Sequence, residues 1–204
     1  MKLPMGIKVP RIDEIHECYE MTDEGRYLSF TANVSEEKIE PLLRRFCEEM
    51  HGTGFFILET PTSAREEEHL RKSESDPAHR DVYYLPNLKK DGMLSLLGRF
   101  GGLLVQDGMV TFGFASHDSK DEIFIGRYKV MHIYAFTRDD RKYGRMLNDF
   151  NIPKEEDIKT VWDTFTEQAP GECYRIQMDG IDCYDLVEML EAEGLFFAKR
   201  REEE

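Results

Sequence analysis

Between Met109 and Phe136 three strand-like runs follow one another with little chain between them: Met109 to Ala115, Glu122 to Gly126, and Tyr128 to Phe136. A parallel neighbour needs a crossover of a dozen or more residues, whereas antiparallel neighbours need only a tight turn. These runs are therefore expected to form an antiparallel meander. Everything else in the chain has to pack around it.

The flanking sequence supplies the packing partners. Tyr27 to Val34 alternates, with Leu28, Phe30, Ala32 and Val34 on one face of a half-buried strand. Ser35 then offers an N-cap, and Glu36 and Glu37 fall in the first turn, where the helix dipole favours acids. Ile39, Leu42, Leu43, Phe46, Cys47 and Met50 follow at helical spacing up to Gly52, with Pro41 expected to kink the start. Gly54 to Thr60 (GFFILET) is a continuous apolar run, the pattern of a buried strand. The charged stretch Thr62 to Ala78 reads as a solvated helix or a mobile loop, and Val82 to Leu85 as a short strand closed by Pro86-Asn87.

Met93, Leu96, Leu97, Phe100, Leu103 and Leu104 stripe a second helix. Its glycines Gly98, Gly101 and Gly102 each cost roughly 1 kcal/mol against Ala, which points to close packing against a neighbour or a break. After the meander, Tyr143, Met146, Leu147 and Phe150 stripe one helix, and Pro153 opens another carrying Ile158, Val161, Trp162 and Phe165. Cys173 to Met178 reads as a strand, Leu186, Val187 and Leu190 as a helix stopping at Gly194, and Leu195 to Ala198 as a last strand. The fold class is α+β: a mixed, largely antiparallel sheet with amphipathic helices packed against it. No low-complexity linker divides the chain, so residues 1–204 read as one domain, with 1–25 an N-terminal segment and 200–204 a tail expected to fray.

Charge narrows the partners. Forty-one acidic residues against twenty-seven basic ones give a net charge of −14. That field repels a phosphate backbone, and each basic cluster is flanked by acids, so no nucleic-acid partner is expected. It attracts a basic protein and also favours solubility. No apolar run is long enough to cross a bilayer and the start lacks a signal-peptide block, so a cytoplasmic protein with no membrane partner is expected. Cys18, Cys47, Cys173 and Cys183 form no CxxC pair and no His-interleaved metal spacing, and are read as reduced and structural. His16, His51 and His69 lie among charges and are read as solvated, while His132, alternating with Val130, Tyr134 and Phe136, reads as half-buried.

Known chemical fingerprints are scarce. His79-Arg80-Asp81 with Asn87 matches part of a protein-kinase catalytic loop, but the Asn stands one position too far along and the glycine-rich loop and Asp-Phe-Gly are missing. There is no Gly-x-Ser-x-Gly elbow, and Gly52-Thr53-Gly54 is not a dinucleotide fingerprint. The most chemically loaded stretch is the turn from Ser116 to Glu122. His117, Asp118, Asp121 and Glu122 are the residue types that ligate a divalent cation or share acid–base work, although exposed turns use Asp, Ser and Lys as well. No other cofactor is expected. Glu66, Glu67 and Glu68 present carboxylates from an unusually long connection and are candidates for contact with a basic partner.

Size, acidity, aromatic strands such as GFFILET and MVTFGFASH, and the shortage of active-site signatures together resemble the immunity proteins encoded beside bacterial polymorphic toxins. The resemblance spreads over the whole chain and transfers no functional residue. It implies a non-enzymatic, acidic protein-binding module that steers a basic toxin domain with carboxylates and holds it with aromatics. The rival expectation is a metal-assisted enzyme or small-ligand protein using the His117 to Glu122 loop.

Overall fold

The computed structural model describes residues 1–73 and 75–203. Its strands are β1 (Ile7–Lys8), β2 (Cys18–Asp23), β3 (Leu28–Asn33), β4 (Thr53–Pro61), β5 (His79–Lys89), β6 (Thr111–Ser116), β7 (Glu122–Ile125), β8 (Met131–Ala135), β9 (Glu172–Cys173) and β10 (Phe196–Glu202). Its α-helices are α1 (Glu36–Glu49), α2 (Ala64–Leu70), α3 (Lys90–Gln106), α4 (Asp140–Asp149) and α5 (Cys183–Glu191). Eight strands make one sheet in the order β10-β5-β4-β6-β7-β8-β3-β2, while β1 and β9 pair separately. The fold is α+β, and β6, β7 and β8 form the antiparallel meander their short connections require.

The main sheet is antiparallel throughout, not mixed; the parallel contact is an isolated bridge between Tyr19 and Lys154. Two crossovers order it. β3 and β4 lie four antiparallel steps apart and so run the same way, joined through α1; β5 and β6 lie two steps apart, joined through α3. Both helices drop their stripes on one sheet face. Ile39, Leu42, Leu43, Met93, Leu97 and Leu104 are fully buried there against Phe30, Phe56, Phe112, Phe114, Ile123 and Ile133. Gly101 lets α1 approach α3, since a β-carbon there would meet the Glu40 side chain at 2.9 Å. Helices α4 and α5 complete this layer through Tyr143, Met146, Leu147, Leu186 and Leu190.

Four local expectations are corrected. Pro86 and Asn87 do not end a strand; β5 runs on to Lys89 through a register shift opposite Gly54 and Phe56, with Asn87 at φ 59°. The helix expected after Pro153 is extended chain, because its backbone is already engaged elsewhere. Tyr19 N donates to Pro153 O (2.9 Å), Glu155 N donates to Tyr19 O (2.8 Å), and Asn33 Nδ2 donates to Lys159 O (2.7 Å). Only a 3-10 turn survives at Val161–Thr164, closed by a Thr160–Asp163 capping box. The strand expected over 173–178 shrinks to β9. The tail expected to fray at 200–204 is instead strand through Glu202, pinned by Arg200 to Asp81 (2.6 Å) and Arg201 to Glu59 (2.7 Å); Glu204 lies outside the described residues.

At the end of the sheet near the β7–β8 turn, Ile7, Tyr128, Val130 and Val161 form a smaller core with Phe165. The chain crosses itself closely here: Gly6 N donates to Gln106 O and Gly108 N to Tyr174 O, and a side chain on Gly108 would strike the Gly6 carbonyl oxygen. Lys129 is buried beside this crossing at φ 60°, donating from Nζ to Leu104 O (3.0 Å) and Val110 O (2.8 Å). It thereby satisfies one of the open carbonyls at the C-terminus of α3.

Candidate binding face

Strand residues alternate, so every inward Phe of the meander implies an outward neighbour. The outward rows are strongly aromatic. One row reads Phe196, Tyr84, Ile57, Gly113, Phe124, His132 and Thr31 across six strands and into β3; the next reads Phe55, Ala115, Glu122, Tyr134 and Ser29. Tyr27, His117 and Phe136 lie above them. Edge-to-face and tilted contacts link Tyr27 with Tyr134 and Phe136, and Phe55 with Tyr84 and His117. No helix covers these rows: Phe55, Tyr84, Phe124 and Tyr134 are half-exposed, and Phe136 and Phe196 are 44% and 48% exposed. Gly113, against which Phe124 lies too closely to admit a β-carbon, lowers the middle of the face between two aromatic patches.

Glu122 stands within this surface. Burial first, and the Glu59 carboxylate second, raise its pKa above the ordinary glutamate value. Among the described residues it has neither a hydrogen bond nor an ion pair. His132, half-buried beside it as expected, stacks on Tyr134 with its Nδ1 3.4 Å from Thr31 Oγ1, and burial lowers its pKa.

The remaining loop candidates separate. His117 and Glu122 lie on the open face, whereas Asp121 points to the helical side, where its carboxylate accepts from Thr137 N (2.9 Å), Thr137 Oγ1 (2.9 Å) and the Tyr143 hydroxyl (2.8 Å). Asp118 is exposed beside Gly52. No three of His117, Asp118, Asp121 and Glu122 bring ligand atoms within 4.8 Å of one another. Asp118 and Asp121 instead help line a cleft of about 360 Å³ with Glu49, His51, Asp139 and Lys142. Burial, then the Asp121 contact, raises the Tyr143 pKa strongly and keeps the phenol protonated as the donor of that bond.

Nor do the three glutamates act together. Glu66 pairs with Arg200 (2.7 Å) and Glu67 accepts from His79 N (2.6 Å), so both fasten α2 to the sheet; Glu68 is exposed. Below the aromatic rows, Arg80, Arg127, His132, Trp162, Arg201 and Glu203 line a second cleft of about 360 Å³. Arg80 is buried there between Glu59 and Glu203, donating to Glu59 O and Met109 O. Among the described residues, the one group with metal-ligand spacing is His16, Cys18 and Glu155, on the far edge of the sheet.

The aromatic face had a trace in the sequence, since GFFILET and MVTFGFASH are apolar on both alternating faces. The His16 group had none, because Glu155 lies 139 residues from His16. No family model matches the chain, and neither a curated protein nor a solved structure is significantly similar to it. No helix among the described residues is long and apolar enough to cross a membrane.

Proposed function

We propose that this chain is a non-enzymatic protein-binding module that takes a basic partner on its open sheet face. The observation that carries the reading is Glu122: a half-buried carboxylate without a partner, set in a surface of aromatic rings. A lysine or arginine entering there meets a full negative charge and π faces at once, the combination that holds a desolvated cation. Aromatic area around it supplies the contact energy of an interface centre, and the −14 net charge accelerates the encounter. An immunity-type role, in which the partner is a basic toxin domain whose surface the module covers, is the form of this function that the charge and the aromatic face support. The cytoplasm is the compartment that fits it.

The test is parallel capture from host lysate at low salt by the parent chain, Glu122→Gln and Tyr134→Ser. A basic protein held by the parent, released by salt and lost from both variants supports the reading. A retained protein that ignores both substitutions, or no basic protein retained at all, sinks it.

A further inference from the structure

We infer that His16, Cys18 and Glu155 form a binding site for one zinc-class divalent cation, at the opposite edge of the sheet from β10 and independent of the open face. Nε2 of His16 lies 3.0 Å from Glu155 Oε2, and Cys18 Sγ completes a set in which one ligand atom from each residue lies within 4.8 Å of the other two. The convergence is built by the backbone. His16 and Cys18 flank the start of β2, and the paired bonds between Tyr19 and the chain at Pro153 and Glu155 place the glutamate opposite them. Little ordering is left for a metal to impose.

The donor set selects the ion. A thiolate, an imidazole and a carboxylate suit zinc and its borderline relatives, whereas calcium and magnesium take oxygen ligands. Cys18 is 1% exposed and forms the floor, while His16 and Glu155 are exposed at the rim, which gives an entry path. An outer shell is present as well. Asn33 Nδ2 is 3.7 Å from Cys18 Sγ and is oriented by its bond to Lys159 O, so it can donate to the sulfur. Oδ1 of the same buried amide has no hydrogen-bond partner. Three protein ligands leave a fourth position for water, and that water would supply the donor Oδ1 lacks. An exposed His–Glu pair alone contributes little and would not require a buried thiol and a buried amide beside it.

The experiment is titration of chelator-treated full chain with cobalt(II), followed by displacement with zinc(II). We expect one equivalent of tetrahedral cobalt with a thiolate charge-transfer band, lost when zinc is added, and a higher Tm for the zinc-bound chain. The band should vanish in Cys18→Ser and persist in Cys173→Ser. His16→Ala, which removes an exposed ring and spares the core, should weaken zinc by at least about tenfold, the cost of losing even an outer partner of a metal site. A band that survives Cys18→Ser, zinc affinity unchanged in His16→Ala, or no stoichiometric cobalt in the folded parent chain would each overturn the assignment.

Discussion

Alternate residues of the same strands meet opposite environments on the two faces of this sheet. Phe112, Phe114, Ile123 and Ile125 vanish beneath α1 and α3, while Phe124 and Glu122, on the intervening positions of β7, remain half-exposed. The chemistry of the two faces is similar, since both are rich in Phe and Tyr. What differs is the cover: both long crossovers run over one face, and only the short 161–173 region and the N-terminal residues reach the lower end of the other. Hydrophobicity alone therefore does not tell stabilising surface from binding surface in this fold; topology does.

Single substitutions should separate the faces. Phe114→Ala is expected to cost about 3–5 kcal/mol in denaturant unfolding, because α1 and α3 cannot collapse into the space left. Phe124→Ser, ten residues on but outward, should cost no more than about 1 kcal/mol, the scale of cross-strand pairing. Equal losses would erase the distinction. The lower end tests the next level: Arg80→Met strands Glu59 and Glu203 and should cost about 3 kcal/mol or more, although Arg80 belongs to the outward side.

The third expectation concerns pH. Burial pushes the Lys129 pKa down from 10.5 to about 7. Between those values the unfolded chain holds a proton that the folded chain has released, so this residue's contribution to stability rises with pH from about 7 to about 10. Lys129→Met should flatten that rise. A parent chain whose stability has the same slope as the variant over this window would contradict it. The smallest effect is expected at Glu122, with opposite signs in two assays. Its raised pKa means that the ionised form burdens the folded state at neutral pH, so Glu122→Gln should raise Tm slightly in the free chain while weakening the basic partner by about 2 kcal/mol.

Much of the architecture was legible because its signals are local. The alternation of Leu28 to Val34, the stripe from Ile39 to Met50 and the short turns of the meander each depend on residues near in sequence. The failures share a different cause. Ile158, Val161, Trp162 and Phe165 have helical spacing, yet Lys159 O and the chain at Lys154 are claimed by Asn33 and Tyr19 from more than a hundred residues earlier. Arg200 and Arg201 read as a charged tail because Asp81 and Glu59, which hold them, are equally distant. The site residues follow the same rule. Glu122 was named for its chemistry, but its setting among Phe55, Phe124 and Tyr134 exists only once three strands are in register. Glu66 and Glu67 were named for their charge, and the folded chain uses that charge internally.

The two ends of the eight-stranded ladder bear on how these molecules behave when crowded together. A terminal strand with free amides is a template on which another copy can continue the sheet. Here one terminus is stoppered by the chain's own 153–155 segment, hydrogen-bonded to Tyr19. The other, β10, breaks register between Phe197 and Lys199 and then presents Lys199, Arg200 and Arg201 in succession. A second copy approaching β10 would bring the same three cations against these, so a protein with an unusually aromatic surface is guarded against growing into fibres strand by strand.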